Sequence, residues 1–485
     1  MVKHCREELL TPLLHIVNLS LTQGVFPSKM KVSKVIPLHK KGNKHELGNY
    51  RPISLLSTFS KLLEKIVLTR ITNHLEINQI SLKSQHGFQK NKSTITALVE
   101  LVENFVDMLE KGENIVGIFL DLSKAFDCLR HELILAKLEE LGFLGSAWKW
   151  FESYLTGRSQ LVELKQTVNG SVTSFRSQLL PITRGVPQGS VLGPIIFILF
   201  TYDLPAYIEQ YSKTFLYADD TVLVTSSKSL EDLEINSYIA LNLAVEYCNS
   251  NDLVFNEGKT QQLNLGTKKS EISACENLNV TEYIKHLGLV IDNQLSWDSH
   301  LNELCKKLSS ALFALKRIKT ISTTETLKVS YHSLFESHLR YGVQLWGSAS
   351  TQNIDRVLVL QKKALRIMAG LGWRESCRES FKEWKILTVI NIYLLEVITC
   401  SCLKDSPRNE DIHGYNTRHA NDFNLPVHKS KRYELKPSYS RAKFFNVLPE
   451  DLKRSSSREL KHKLTTWLAN HPFYSLSEFL NWHNN

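Results

Sequence analysis

Two hydrophobic periods alternate along the middle of this 485-residue chain. Short continuous apolar runs are typical of buried strands, and apolar positions spaced three and four apart are typical of helices. The first pattern predicts strands at 115–122, 260–266 and 283–291 and a hairpin at 214–225. The second predicts helices at 133–141, 192–200 and 231–249. Strands and helices that alternate in this way indicate a mixed α/β region.

Other patterns flank this region. They predict a strand at 32–38, a helix along the apolar stripe at 62–71, and basic helices at 301–318 and 354–368. Residues 1–90 are rich in Lys and Arg. Residues 376–485 look helical but irregular, with prolines marking loops, and their pattern indicates no function.

The composition is that of a folded, basic protein. Hydrophobic residues make up 42% of the chain, which fits a globular protein better than a disordered one. The 59 Lys and Arg outnumber the 49 Asp and Glu, for a formal net charge of +10. A modest positive excess suits a polyanionic partner without requiring one.

The spacing of the eight cysteines and the length of the apolar runs indicate the cellular compartment of the protein. No two cysteines have CxxC spacing, which indicates free thiols in a reducing compartment. The alternative is a zinc site formed by Cys400, Cys402, His413 and His419, although their spacing matches no standard zinc site. The N-terminus lacks the apolar core of a signal peptide. The longest apolar run, 191–200, is about half a membrane span. We therefore expect an intracellular protein of the nucleus and/or cytoplasm, neither secreted nor membrane-spanning.

Asp219 and Asp220, adjacent in the segment 217–220 (Tyr-Ala-Asp-Asp), interrupt an apolar strand pattern. Two such carboxylates repel each other and raise each other's pKa unless a cation neutralises them. The pair suggests a divalent-metal site at a hairpin tip, although Asp is also favoured in ordinary turns. Asp121, at the end of the apolar run 115–120, is expected to meet this hairpin. Three converging carboxylates favour two Mg²⁺ ions about 3.5–4 Å apart.

A glycine-rich loop at 184–194 lies between these carboxylates. Its glycines at 185, 189 and 193 permit close backbone approach, and Gln188 offers both a donor and an acceptor. The alternative is an ordinary Gly/Pro turn that enters the helix at 191.

Seven motifs follow one another in a recognisable order. They are Asn-Tyr-Arg-Pro-Ile-Ser-Leu-Leu (49–56), Ser-Gln-His-Gly-Phe-Gln-Lys-Asn-Lys-Ser-Thr (84–94), Phe-Leu-Asp-Leu-Ser-Lys-Ala-Phe-Asp (119–127), Gly-Val-Pro-Gln-Gly-Ser-Val-Leu-Gly-Pro (185–194), Tyr-Ala-Asp-Asp (217–220), Asn-Glu-Gly-Lys-Thr (256–260) and His-Leu-Gly-Leu-Val-Ile-Asp (286–292). With them the chain resembles the reverse transcriptases of non-LTR (LINE-type, jockey-like) retrotransposons over residues 30–295. Beyond residue 295 the similarity to this family is weaker. Tyr202 departs from the family, which usually has Asn there.

The resemblance implies a two-metal polymerase centre. Asp121 and Asp219 would be the ligands of two Mg²⁺ ions, with Asp220 completing the triad and the Leu122 carbonyl assisting. One ion would activate a primer 3′-hydroxyl and the other would neutralise pyrophosphate. The implied nucleotide-binding residues are Lys40 or Lys41 and Arg51 at the triphosphate, Phe126 as the selector of dNTPs over rNTPs, Gln188 at the nucleotide or template, and Lys259 near the pyrophosphate.

The resemblance also implies a right-hand polymerase with an α/β palm. The implied primer and template contacts are Gly189, Tyr217, Leu287 and Gly288, joined by Lys306, Lys307, Lys316 and Arg317 of a thumb. Residues 1–115 would hold an N-terminal extension and the fingers, 116–295 the palm and 296–375 a helical thumb. Residues 376–485 would form a mostly helical C-terminal region of unknown role.

The implied activity is RNA-directed DNA polymerisation, with an RNA template, a DNA or RNA primer and dNTPs as partners, and no membrane. A full-length element protein is expected to carry an endonuclease, which does not precede residue 1 here, and 376–485 offers no RNase H quartet or CCHC knuckle. A truncated, non-catalytic nucleic-acid-binding relic of such an element is the alternative. The amino-acid sequences of the motifs disfavour an intron maturase or a telomerase-like enzyme.

Overall fold

The computed structural model describes residues 4–123, 125–168, 170–400, 407–412, 420 and 422–484. The chain forms two compact units. The first comprises the residues up to Lys90, Phe119–Leu223 and Asn236–Thr260, and the second comprises Asn91–Ile118, Val224–Ile235 and the residues from Gln261 onward. Within the described residues, no helix is both long and apolar enough to cross a membrane.

Strands are concentrated before residue 293. In chain order they are β1 (Val32–His39), β2 (Tyr50–Leu55), β3 (Asn114–Leu120), β4 (Leu122–Ser123), β5 (Arg158–Val168), β6 (Ser171–Arg176), β7 (Leu180–Ile182), β8 (Lys213–Tyr217), β9 (Asp220–Ser227), β10 (Val254–Phe255), β11 (Gln261–Leu265), β12 (Asn279–Val280), β13 (Tyr283–His286) and β14 (Leu289–Asp292).

Helices occur throughout the chain. They are α1 (Arg6–Gln23), α2 (Thr58–Ile77), α3 (Thr94–Glu110), α4 (Ala125–Cys128), α5 (His131–Glu140), α6 (Ser146–Leu155), α7 (Gly193–Phe200), α8 (Leu204–Ile208), α9 (Leu230–Ser250), α10 (Asp298–Lys319), α11 (Thr324–Tyr331), α12 (Ser337–Arg340), α13 (Val343–Trp346), α14 (Thr351–Ala369), α15 (Arg378–Glu383), α16 (Val389–Ile398), α17 (Asn409–Ile412), α18 (Pro437–Asn446), α19 (Glu450–Lys453), α20 (Ser457–Asn470) and α21 (Leu476–Leu480).

One sheet of the first unit presents basic side chains at a hairpin. Its strands are ordered β2–β1–β5–β6, with β7 also paired with β5. The antiparallel β1–β2 hairpin pairs Leu38 with Arg51 and His39 with Tyr50. Lys40 follows directly, so the lysine and the arginine lie close to the same tip.

A second sheet, ordered β12–β11–β3–β9–β8, carries the acidic segments at its strand ends. Every residue of β3 is buried, as is the stretch 221–225 of β9. Strands covered on both faces read as continuous apolar runs, which is the pattern seen in the sequence. Asp121 follows the last residue of β3, and Asp220 begins β9.

Two helices of the first unit support the glycine-rich loop. Helix α2 begins after Ser57, whose hydroxyl accepts a hydrogen bond from the Ser60 N–H at 3.0 Å, as N-cap serines do. Its buried face includes Leu63 and Val67. Helix α7, which follows the loop, is buried along nearly all of its length, so its uniform apolarity reflects core packing.

The second unit is mostly helical. Helix α10 packs on α14, and α16 packs against α18 and α20. Helix α3 starts with a capping box in which the side chains of Ser93 and Thr96 each bond the other's backbone N–H. The hairpin β13–β14 precedes α10.

The elements predicted from the pattern are confirmed within a few residues, and the fold is the mixed α/β type expected of a reverse transcriptase. The expected strand 115–122 ends at Leu120, and the segment 283–291 is a hairpin of two strands that turns at Leu287. The hairpin formed by β5 and β6 was not predicted. The alternative zinc site lies partly outside the described residues, because Cys402, His413 and His419 are among those not described.

Candidate active site

The turn between β8 and β9 carries Asp219, and Asp220 directly follows it as the first residue of β9. The strands are anchored in the core by buried apolar side chains such as Phe215 and Leu223. Ala218 adopts a left-handed backbone conformation with φ 55°, which lets the chain reverse within two residues. Asp219 is half-buried and Asp220 is exposed, so both carboxylates lie at the surface end of an otherwise apolar hairpin.

Residues 254–260 hold Asp121 through its backbone. The Asn256 N–H donates to the Asp121 carbonyl at 3.0 Å, and the Asp121 N–H donates to the Thr260 hydroxyl at 3.3 Å. Leu122 pairs with Phe255 in the short β4–β10 ladder. The motif at 256–260 therefore fixes the position of Asp121 and its neighbour.

The three carboxylates interact electrostatically. Partial burial and the negative charge of Asp121 raise the pKa of Asp219, against the opposing charges of Arg51 and Lys40. Surrounding protein atoms, together with Asp219 and Asp121, raise the pKa of Asp220 to about 6, although its side chain remains accessible to solvent. The first unit thus brings Asp121, Asp219 and Asp220 near one another and near two basic side chains.

This arrangement fits a divalent cation by its chemistry. The donors are carboxylate oxygens, which hard cations such as Mg²⁺ prefer, and a cation would relieve their mutual repulsion. Among the residues that the structure describes, no three His, Cys, Asp or Glu side chains form a ready-made metal cage. Magnesium sites commonly use few carboxylates and complete their coordination with water and substrate phosphates.

The predicted basic residues lie in different settings. Lys259 places Nζ 3.4 Å from Oδ2 of Asp121. Lys40 is exposed, and its backbone N–H donates to the Asn49 carbonyl at 2.8 Å. Lys41 and Arg51 are also exposed. The structure therefore puts the charges of Lys40, Arg51 and Lys259 within electrostatic reach of the carboxylates.

The glycine-rich loop packs closely against neighbouring backbone. At Gly185 (φ 75°) an added Cβ would lie 2.7 Å from the Asp127 carbonyl oxygen, and at Gly189 (φ 123°) it would lie 2.5 Å from the Ser54 carbonyl oxygen. The Ser54 N–H donates to the Gln188 carbonyl at 2.7 Å. Both glycines are required by close backbone approach.

Two side chains that were not predicted as site residues hold this loop. The carboxylate of Glu64, fully buried on α2, accepts the Val191 N–H at 2.7 Å and the Leu192 N–H at 3.2 Å. His131 Nε2 lies 3.0 Å from the Gly185 carbonyl oxygen and donates to it. Helix α2 and helix α5 therefore both fix the loop.

Two other predicted nucleotide-binding residues have protein partners. The Gln188 amide donates to both carboxylate oxygens of Asp127, at 2.9 and 2.8 Å. The ring of Phe126 packs on Phe197 with centroids 4.8 Å apart. Neither contact tests the predicted role toward a nucleotide.

The predicted primer contacts Leu287 and Gly288 lie in the second unit. They form the turn between β13 and β14, with φ values of 43° and 83°. The Tyr341 hydroxyl donates to the Leu287 carbonyl, and the Tyr341 ring covers Gly288. Tyr341 is another supporting residue that the sequence did not reveal. The basic residues Lys306, Lys307, Lys316 and Arg317 lie exposed on α10.

Known proteins are similar to the part of the chain that carries these site residues. A sequence profile of the family described as "Reverse transcriptase (RNA-dependent DNA polymerase)" matches residues 38–291. Among curated relatives, the RNA-directed DNA polymerase from mobile element jockey of Drosophila melanogaster is 27% identical over 388 residues, covering 76% of this chain and 41% of that protein. The probable RNA-directed DNA polymerase from transposon BS of the same species is 29% identical over 371 residues, covering 72% and 40%.

A solved structure of apo telomerase from Candida tropicalis has a TM-score of 0.42 and 13% identity, covering 80% of this chain and 67% of that one. This structural likeness is weak. The chain spans about two fifths of the length of the curated relatives it matches.

Proposed function

Since the chain belongs to the reverse transcriptase (RNA-dependent DNA polymerase) family, we propose that it copies an RNA template into DNA from a primer 3′-hydroxyl. The observation that carries this proposal is the electrostatic convergence of Asp121, Asp219 and Asp220 beside Lys40 and Arg51. Carboxylates bring cations to a reaction centre, and neighbouring basic groups bind the phosphates of a substrate.

Asp121, Asp219 and Asp220, with the Leu122 carbonyl, would hold two Mg²⁺ ions. When bound, such ions activate a 3′-hydroxyl and neutralise a leaving pyrophosphate. The protein's part is to keep the three carboxylates together at the end of the hairpin, where partial burial and their mutual repulsion raise the pKa values of Asp219 and Asp220.

The neighbouring residues would bind and select the nucleotide. Arg51 with Lys40 or Lys41 would bind the triphosphate, because their charges lie on the β1–β2 hairpin and its tip. Lys259, beside Asp121, would stabilise charge on the pyrophosphate. Two further assignments follow from motif position: Phe126 would exclude a 2′-hydroxyl, and Gln188 would contact the nucleotide or template.

Each unit carries its own proposed primer and template contacts. In the first unit the proposed contacts are Gly189 and Tyr217. In the second they are Leu287, Gly288 and the α10 residues Lys306, Lys307, Lys316 and Arg317. Exposed lysines and arginines on one helix would attract the phosphates of a duplex backbone electrostatically.

We propose an N-terminal extension and the fingers in 1–115, the palm in 116–295, a helical thumb in 296–375 and a C-terminal region of unknown role in 376–485. The partners would be an RNA template, a DNA or RNA primer and dNTPs, inside the cell in the nucleus and/or cytoplasm. In a full-length element protein an endonuclease would accompany this chain. These assignments rest on the order of the motifs.

Primer extension tests the proposal directly. Purified protein with Mg²⁺, an RNA template and an annealed DNA primer should incorporate dNTPs, whereas Asp219→Asn should reduce extension by about 1,000-fold or more by removing a ligand from the centre. Asp232→Asn, at an exposed aspartate on α9, is the matched control and should extend normally. Wild-type protein that binds primer–template yet never extends it would instead support the non-catalytic alternative.

A further inference from the structure

The segment 84–88 runs beside β8 as far as the turn that carries Asp219. The Leu216 N–H donates to the Ser84 carbonyl at 2.9 Å, and the His86 N–H donates to the Leu216 carbonyl at 2.7 Å. Gln85 itself forms a parallel bridge with Leu216. These backbone bonds bring Gln85 to the end of a strand that lies more than a hundred residues later in the chain.

The side chain of Gln85 contacts the turn directly. Its Oε1 accepts hydrogen bonds from the Ala218 N–H at 2.8 Å and from the Gly87 N–H at 2.7 Å. Gln85 is only 3% exposed. A buried amide oxygen that accepts two backbone N–H groups is fixed in place, because moving it leaves all three groups unsatisfied.

The bond supports a strained backbone conformation. Ala218 has φ 55°, and a non-glycine residue is sterically strained in this left-handed region. The net stabilisation from one hydrogen bond is of the same order as such strain. The Gln85 oxygen therefore offsets much of the strain at the residue that directly precedes Asp219.

Gly87 makes this approach possible. A Cβ at Gly87 would lie 2.5 Å from the Ala218 nitrogen, a distance that backbone atoms do not tolerate. The amide of Gln85 and the missing side chain of Gly87 thus both act at the same atom of the turn. Neither residue is assigned a role by the metal and nucleotide chemistry.

We propose that Gln85 is a positioning residue of the polymerase centre, which holds the Ala218 N–H and thereby fixes the direction in which Asp219 and Asp220 are presented. This inference rests on the proposed function of these two carboxylates as metal ligands. Because Gln85 is buried, it acts through the turn and does not touch the substrate. Displacing a catalytic group by about 1 Å can cost roughly 100-fold in rate.

The first test is Gln85→Leu, which keeps the approximate size of the side chain and removes the acceptor. We expect kcat for extension to fall by about 10- to 100-fold. The dNTP KM and the primer–template Kd should stay within about twofold, because Gln85 contributes nothing to binding surfaces. Thermal unfolding of each variant verifies that it is folded.

Two companion variants separate positioning from general loosening of the segment. Gln89→Leu removes a bond that closes the chain locally around the segment, from Gln89 Nε2 to the Leu82 carbonyl at 3.0 Å, and should retain kcat within about threefold. Gln85→Glu keeps an acceptor oxygen whether ionised or protonated, and should restore the turn's protection from exchange.

Hydrogen–deuterium exchange provides a readout that needs no activity. In Gln85→Leu, peptides covering 215–220 should exchange about tenfold faster than in wild type, in line with a lost hydrogen bond. In Gln89→Leu, the same peptides should exchange at the wild-type rate. If wild-type protein does not extend primers, the proposed function fails while this measurement still tests the positioning bond. Unchanged exchange in Gln85→Leu, no recovery in Gln85→Glu, or an equal loss of kcat in Gln89→Leu would overturn the proposal.

Discussion

Lys259 and Asp121 form an ion pair in which Nζ lies 3.4 Å from Oδ2, across 138 residues of sequence. The two side chains are 65% and 41% exposed. Exposed ion pairs contribute about 0–1 kcal/mol to stability, so this pair does little for the fold. Its main consequence is to place a cation beside a proposed metal ligand.

Replacing Lys259 with Met should therefore separate stability from activity. The free energy of unfolding should change by less than about 1 kcal/mol. If Lys259 has its proposed role at the leaving pyrophosphate, extension should slow by about 100-fold, because a preorganised positive charge is lost. Urea unfolding and single-turnover extension measure the two effects.

Lys463→Met is the matched control for this change. Lys463 forms an exposed ion pair with Glu459 at the same distance, 3.4 Å, on α20. Its loss should leave both stability and extension close to wild type. Equal slowing in the two variants would assign the effect of Lys259 to net charge and remove its proposed role.

Phe126→Ala should relax sugar selection. The ring packs on Phe197 and is half-buried, so its removal opens space within the motif that also contains Asp121. We expect the preference for dNTPs over rNTPs to fall by about 10- to 100-fold, the range for deleting one steric contact in a pocket. Competitive incorporation of dNTP and rNTP measures this ratio. Phe175→Ala, at an exposed phenylalanine on β6, should leave it unchanged.

Gly185→Ala should destabilise the first unit by more than backbone strain alone explains. Gly185 and Gly112 have nearly equal φ values of 75° and 77°, but an added Cβ meets Asp127 and Phe126 backbone atoms within 2.8 Å at Gly185 and nothing within 4 Å at Gly112. Gly112→Ala should cost about 1–2 kcal/mol from strain. Gly185→Ala should cost about 1–3 kcal/mol more from overpacking. Chemical denaturation measures the free energy of unfolding of both variants. Equal losses of stability would show that the loop shifts to accommodate the added Cβ.

His300 should make the second unit sensitive to acid. Burial and the nearby charges of Lys307 and Lys285 lower its pKa to about 4, against the opposing charge of Glu303. The unfolded histidine takes up a proton near pH 6.5, so stability is lost as the pH falls from about 6.5 toward 4. The total loss is about 3 kcal/mol.

His300→Phe removes this titration and keeps a ring beside Trp346. Its stability should decline less steeply than that of wild type between pH 6.5 and 4, measured by urea unfolding at several pH values. The same substitution at His338, an exposed residue of α12, serves as the control. Parallel pH curves for wild type and His300→Phe would contradict this prediction.

Local patterns predicted the elements but not the contacts that assemble the site. The β8–β9 hairpin was predictable because its apolar runs and paired aspartates are adjacent in sequence. The bonds that hold Asp121 to Asn256 and Ala218 to Gln85 join residues more than 130 positions apart, and no local period encodes such a distance. The β5–β6 hairpin was missed because β6 is exposed along its whole length and lacks a buried apolar face.

The buried carboxylate of Glu64 has a consequence for motion. It links α2 to the backbone at Val191 and Leu192, while the Ser54 N–H links β2 to the Gln188 carbonyl. These bonds couple the helix, the strand and the loop, because moving one against another would break at least one of them. A movement of the β1–β2 tip that keeps them intact would have to pivot on the tip side of Ser54 and would leave Gln188 in its place relative to α2.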